Sequence, residues 1–237
     1  MKHIQIVFLY LVFSFLAADL IILLVGLTPS HSLSLSFSEK IGVASVFILC
    51  CSVGISQTFR PNWIRQVLPK QKKEEKKIPS SEKRPFHGHH PECPVFQNHT
   101  IRWNKKIWCA GCLGLFIGLC GAILFMILYI GIDFRLTKTM SVLFILLGLL
   151  ILAIVFGETF YQSQSVLLHV FINSLLPLSF FLLTIAVGEM TGQFVYGFFA
   201  VLLCFLWLDT RIQLSKWRHS LLCSMCSESC KMFPVSF

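Results

Sequence analysis

Six long apolar runs dominate this 237-residue chain and limit the folds open to it. A helix that crosses the hydrocarbon core of a bilayer needs about 20 mostly apolar residues. Runs near that length predict spans over residues 4–26, 41–59, 112–132, 140–156, 166–187 and 193–208. The sequence therefore predicts an all-α fold, a polytopic membrane bundle of about six transmembrane helices.

The composition excludes other classes for the chain as a whole. Hydrophobic residues make up 55% and charged residues 13%, with a mean hydropathy of +0.75, whereas an average soluble domain carries about 25% charged residues. A single globular core of this size could not bury so much apolar surface. A soluble domain, a disordered chain and a nucleic-acid-binding domain are therefore excluded. The expected partner is the lipid bilayer.

The distribution of Lys and Arg predicts the orientation. If the N-terminus is cytoplasmic, 17 of the 20 basic residues lie in cytoplasmic segments, and only Lys40, Arg135 and Lys138 lie outside. Short cytoplasmic loops carry an excess of Lys and Arg. We therefore predict a multi-pass protein of the cell membrane, with an uncleaved first span and with both termini and loop 60–108 in the cytoplasm.

The segment between the second and third spans divides the chain. Residues 70–84 mix charges with almost no apolar side chains, which is typical of an unpacked linker, and aromatic, His and Cys residues follow. Five regions are predicted: a two-helix membrane segment 1–59, a basic cytoplasmic linker 60–84, a Cys/His loop 85–112, a four-helix membrane segment 113–210 and a Cys-rich cytoplasmic tail 211–237.

The Cys/His loop holds residues with metal-binding chemistry. Cys109 and Cys112 form a CxxC pair whose sulfurs can bind one ion. Asn104-Lys105 suits a hairpin turn that would bring His99 towards Cys109, and cytoplasmic thiols stay reduced. We therefore predict a structural zinc site in a cytoplasmic loop; a redox use and the absence of any ligand are the alternatives. The candidate ligands are His89, His90, Cys93, His99, Cys109 and Cys112.

A single tetrahedral site requires Cys93, His99, Cys109 and Cys112 to converge, with His89 or His90 able to add or substitute. A second cluster ends the chain and comprises His219, Cys223, Cys226 and Cys230. These four residues are enough for an ion of their own. They could also share the site of the loop, carry palmitate or bind nothing.

The loop and the start of the third span resemble a group of small prokaryotic integral membrane proteins of unknown function. The signature of that group is a His/Cys element followed by a C-A-(R or G)-C-x-G motif that opens a transmembrane helix. The matching residues here are His89, His90, Pro91, Cys93, Phe96, His99, Cys109, Gly111, Cys112, Gly114 and Gly118. The resemblance, which the terminal Cys/His cluster shares, implies metal ligands and no established activity. Many relatives have Ala-Arg where this chain has Ala110-Gly111, and the long charged linker also departs from the group.

Polar and small residues inside the spans predict close contacts between helices. Gly114, Gly118 and Gly121 place small residues on nearly one face of the third span, which favours close packing. His169 and Asn173, four residues apart, share a face of the fifth span and precede Pro177. They either line a cavity or make interhelical hydrogen bonds beside a kink. Glu158 and Glu189 lie at span ends, where an interfacial position is expected.

No catalytic motif accompanies these features, since HExxH, GxSxG and a phosphate-binding Gly loop are absent from the sequence. The main hypothesis is a structural or regulatory membrane protein rather than an enzyme. A membrane-bound thiol oxidoreductase using Cys109 and Cys112, or a zinc-dependent hydrolase, is the second. The third is a small-solute transporter using His169 and Asn173. The predicted reducing side of the CxxC pair counts against a thiol oxidase.

The predicted orientation can be tested by cysteine labelling. An impermeant maleimide added to intact cells should not react with Cys93, Cys109 or Cys226, because the predicted orientation places these thiols in the cytoplasm. All three should react once the membrane is permeabilised and the protein is denatured in the presence of a chelator. A Thr137→Cys variant, between the third and fourth spans, should react from outside and serves as the positive control. Labelling of Cys93 or Cys226 in intact cells would overturn the orientation.

Overall fold

The computed structural model describes residues 2–28, 34–59, 86–87, 99–103, 106–132, 134–161 and 165–224. Within these ranges the six helices are α1 (Lys2–Leu27), α2 (Phe37–Phe59), α3 (Ala110–Gly131), α4 (Lys138–Tyr161), α5 (Val166–Thr191) and α6 (Phe194–Ser224). Three short strands precede α3: β1 (Phe86–His87), β2 (Thr100–Trp103) and β3 (Lys106–Cys109). Each helix is long and apolar enough to cross a membrane. The predicted all-α, multi-pass architecture is thus confirmed, with a small sheet added.

Successive helices run in opposite directions, and side-chain contacts identify the two ends of the bundle. Lys40, at the start of α2, contacts Glu189 near the end of α5. Glu158, near the end of α4, contacts His169 in the first turn of α5. We call the first of these the Lys40 end and the second the hairpin end, because strand β3 leads directly into α3 there. The start of α1 and the end of α6 both lie at the hairpin end, as an even number of spans requires.

The sixth apolar run of the sequence predicts a span that ends at residue 208. Helix α6 extends well beyond that residue, to Ser224. Trp207, Thr210 and Leu214 are buried at helical spacing, so the more polar continuation still packs against the bundle. The hydroxyl groups of Ser14 and Thr210 lie 2.7 Å apart, and the indole N–H of Trp207 donates to the carbonyl of Ser14. These contacts attach α6 to α1. The predicted helical continuation after Leu208 is confirmed, and it forms one helix with the span.

Helix α5 is the centre of the bundle. Of its most apolar window 72% is buried, against 22% to 33% in the other five helices. Helices α3, α4 and α6 all pack on it. A membrane helix buried over most of its length can carry polar groups only where its neighbours supply partners, and this makes the polar residues of α5 informative about function.

Two glycines of α3 bring its backbone against that of α5. A Cβ atom at Gly114 would lie 2.3 Å from the carbonyl oxygen of Val170, and one at Gly118 would lie 2.3 Å from that of Ser174. No side chain fits either gap, so the predicted close packing is confirmed. Gly121 contributes little, since its Cβ would lie 3.8 Å from the nearest atom, in Leu178. The close face of α3 instead runs back towards Gly111, three residues before Gly114.

A Gly118→Ala substitution should destabilise the bundle. The new methyl group would meet the Ser174 carbonyl and the ring of Pro177, and overpacking of this kind costs about 1–3 kcal/mol. Gly121→Ala, on the same helix, is the matched control and should change the free energy of unfolding by less than about 0.5 kcal/mol. Thermal unfolding in detergent measures both. Equal stability of the two variants would contradict the close approach of α3 and α5.

Candidate functional site

The loop before α3 forms the predicted hairpin. Strands β2 and β3 pair antiparallel, with Thr100 opposite Cys109 and Trp103 opposite Lys106, while β1 pairs parallel with β3. His99 directly precedes β2 and therefore lies at the base of the hairpin, beside Cys109. The side chains of His99 and Cys109 are 6% and 3% exposed. A His and a Cys from the polar loop are thus both buried where the hairpin meets the bundle.

Cys109 lies at the junction between the sheet and the membrane helix. It ends β3 and is also the N-cap residue of α3, with an extended backbone (φ −74°, ψ 124°). Cys112 follows in the first turn of α3. The CxxC pair therefore occupies the start of a membrane helix.

His169 faces this junction from the first turn of α5. Its Nδ1 lies 2.7 Å from Oε1 of Glu158, and both side chains are largely buried. When the ring is neutral, a carboxylate at this distance accepts the Nδ1 proton, and Nε2 is then the electron-pair donor of the ring. The imidazole rings of His99 and His169 are in edge-to-face contact, with centroids 4.9 Å apart. The hairpin and α5 thus meet through two histidines.

Arg211 of α6 completes the polar cluster. Its Nη2 donates a hydrogen bond to Oδ1 of Asn173, and Nδ2 of Asn173 donates to the carbonyl of His169 at 2.6 Å. The guanidinium also interacts electrostatically with Glu158 and with the thiols of Cys109 and Cys112. One buried network therefore connects α3, α4, α5 and α6 at the hairpin end.

Gly111 leaves a small space at the centre of this cluster. A Cβ atom there would lie 3.4 Å from Nε2 of His169, 3.7 Å from Nη2 of Arg211 and 3.9 Å from Sγ of Cys109. An imidazole, a guanidinium and a thiol therefore surround the position that a side chain would occupy. We call this space the Gly111 niche.

The structure brings some of the predicted ligands together. His99, Cys109 and Cys112 share the base of the hairpin, and His219 lies on α6, which ends on the same side. Across the described ranges, no three His, Cys, Asp or Glu side chains form a group that could hold a metal ion. The zinc site therefore stays a prediction. Outside the described residues lie His89, His90, Cys93, Cys226 and Cys230, as does the side chain of Cys223.

Two members of the cluster differ from their sequence interpretation. Glu158 lies at a span end as expected, yet it is buried against His169 and does not face the interface. Arg211 follows the sixth apolar run, so the sequence analysis assigns it to the tail. Trp207 and Leu214 are seven residues apart, a helical spacing, and this pattern in the sequence could have indicated that the packed helix continues past Arg211. For His169 and Asn173, the interhelical hydrogen bonds expected as an alternative to a cavity are confirmed.

A second polar cluster lies at the Lys40 end. Nζ of Lys40 lies 3.1 Å from Oε1 of Glu189 and donates to the carbonyl of Phe134 at 3.0 Å, while the hydroxyl of Tyr129 donates to Glu189. Lys40 and Glu189 are 1% and 3% exposed. Glu189 is thus a buried ion-pair partner, and the cluster joins α2, α3 and α5. The ion pair and its hydrogen bonds link residues of three helices, which indicates a structural role.

Comparison of the chain with protein-family models, with curated proteins and with solved structures gives no match.

An Asn173→Ala substitution should destabilise the hairpin end. It removes the acceptor for the guanidinium of Arg211, and a hydrogen bond to a charged group contributes about 1.5–3 kcal/mol. Ser174→Ala is the control, because the Ser174 hydroxyl bonds only within its own helix, to the carbonyl of Phe171, and its loss should cost less than about 0.5 kcal/mol. Thermal unfolding in detergent measures the stability of both variants. Equal stability of Asn173→Ala and Ser174→Ala would contradict the network.

Proposed function

We propose that this chain is a multi-pass membrane protein in which a zinc ion, bound by the Cys/His loop, fixes the hairpin to the membrane bundle. The supporting observation is that His99 and Cys109 are both buried at the base of the hairpin, where Thr100 pairs with Cys109. Imidazole and thiolate groups are the ligands of structural zinc sites, and one ion could bind both at this position. The role proposed is structural or regulatory.

The ligand types suit zinc. Cys and His side chains in a tetrahedral set are the ligands of structural zinc sites. Cys109 and Cys112 supply two of the four, and the loop residues His89, His90, Cys93 and His99 are the candidates for the others. Each paired strand of the hairpin is only four residues long, and binding of a metal would contribute directly to the folding free energy of so small an element.

The hairpin end is proposed to face the cytoplasm. The charge asymmetry of the loops supports this orientation, and a reducing compartment keeps thiols available for metal. The tail reaches the same end, because α6 carries His219 there. We propose that the terminal cluster either holds a second ion or joins the first, and ion stoichiometry in a Cys226→Ser/Cys230→Ser variant distinguishes these arrangements.

Metal analysis of the purified chain tests the proposed function. Wild-type protein should retain at least one zinc ion per chain, and a Cys109→Ser/Cys112→Ser variant should lose one. Zinc should also be released as the pH falls, because protons compete for the thiolates. Cys120→Ser is the matched control: Cys120 is exposed on α3, and its loss should leave the metal content unchanged. If wild-type protein purified from zinc-supplemented cells in chelator-free buffers contains no zinc, the proposal is overturned.

A membrane-bound thiol enzyme is the second candidate. Its supporting observation is the hydrogen-bonded Glu158–His169 pair close to Cys109, since a carboxylate-oriented imidazole beside a thiol can act as a general base. Metal-free protein whose Cys109 reacts with iodoacetamide much faster than Cys120 would favour this candidate over the zinc site.

A further inference from the structure

We infer that His169, on membrane helix α5, is a ligand of the zinc ion proposed for the loop and completes a Cys2His2 set with His99, Cys109 and Cys112. The inference rests on the proposed function and identifies how the loop site is attached to the bundle. The loop alone could supply four ligands through His89, His90 or Cys93. The arrangement around the Gly111 niche favours a ligand from the bundle.

The geometry places His169 correctly for this role. Nε2 of His169 and Sγ of Cys109 both border the Gly111 niche, and the ring of His169 touches that of His99. Cys112 follows Gly111 on the same turn of α3. No three of these described groups lie close enough together to hold an ion in this structure. Metal binding therefore requires the side chains of His99, Cys109 and Cys112 to turn towards the ring of His169.

Glu158 gives His169 the environment of a metal ligand. A histidine that binds metal through one ring nitrogen almost always donates its other N–H to a carboxylate, a carbonyl or water, which fixes the tautomer and makes the free nitrogen more basic. The contact of 2.7 Å between Nδ1 and Oε1 has this form, and it leaves Nε2 towards the niche. The pair is buried between α4 and α5, so the ring has a fixed orientation.

The charges of the cluster suit a zinc ion with two thiolates. Two thiolates and two neutral imidazoles around Zn²⁺ give a centre with no net charge, which lowers the desolvation cost of burying it beside membrane helices. The guanidinium of Arg211 borders the same niche, and the carboxylate of Glu158 lies near enough to balance its charge.

Cobalt substitution of the full-length protein in detergent tests the inference. Thiolate ligands of Co²⁺ give charge-transfer absorption, whose intensity rises with the number of thiolates. The His169→Cys variant should retain the metal, because Cys can replace His as a ligand, and its absorption should increase by the contribution of a third thiolate. His169→Ala should weaken zinc affinity, measured by competition with a chelator. Glu158→Gln should weaken it about 10–100-fold. Thr159→Ala is the control on α4, since its hydroxyl bonds only within that helix, and should leave affinity unchanged.

The outcomes separate this inference from the proposed function. If wild type binds zinc, His169→Ala and His169→Cys match wild type in affinity and spectrum, and Cys93→Ser loses the metal, then the ligands come from the loop alone and the inference fails while the proposed function stands. If wild type binds no zinc or cobalt, both fail. The added thiolate signal in His169→Cys keeps the test valid even where His169→Ala fails to fold.

Discussion

The close contact between α3 and α5 determines the arrangement of the rest of the molecule. Lipid tails are as apolar as Leu, so helices in a bilayer associate through packing and hydrogen bonds rather than through the hydrophobic effect. Gly114 and Gly118 allow the two backbones to touch. Because α3 and α5 run in the same direction, this contact also places their first turns side by side. The Cys109–Cys112 junction therefore faces His169.

Both ends of the bundle are held by buried polar groups from different helices. Glu158, His169, Asn173 and Arg211 form one network, and Lys40, Tyr129 and Glu189 form the other. An unpaired charge within a membrane helix is costly, so each group restricts which helices can be neighbours. The two clusters differ in composition. The Lys40 end is an ion pair with its hydrogen bonds, whereas the hairpin end adds two histidines and two cysteines, which are the side-chain types found in structural zinc sites.

The hairpin end is therefore where function is expected. A metal bound only by the loop would order the hairpin without affecting the helices. A metal that also has His169 as a ligand would link the hairpin to α5. The contacts of Glu158 and Arg211 with this cluster would then connect the metal site to α4 and α6. In that proposed arrangement, gain or loss of zinc would alter contacts among four membrane helices. This supplies a physical route by which the site could regulate the bundle.

The sequence by itself determined the six helices, the hairpin between His99 and Cys109 and the close packing at Gly114 and Gly118 of α3, whereas Gly121 contributes little to that packing. Hydropathy, turn residues and glycine spacing are patterns within short stretches of chain, so the elements that they predict can be identified without knowing the fold. The tertiary structure alone decided that α3 packs on α5, that His169 pairs with Glu158 and that Arg211 reaches Asn173. Those contacts join residues on different helices, and an apolar run is compatible with many neighbours. Only the mutual packing of the helices selects among them.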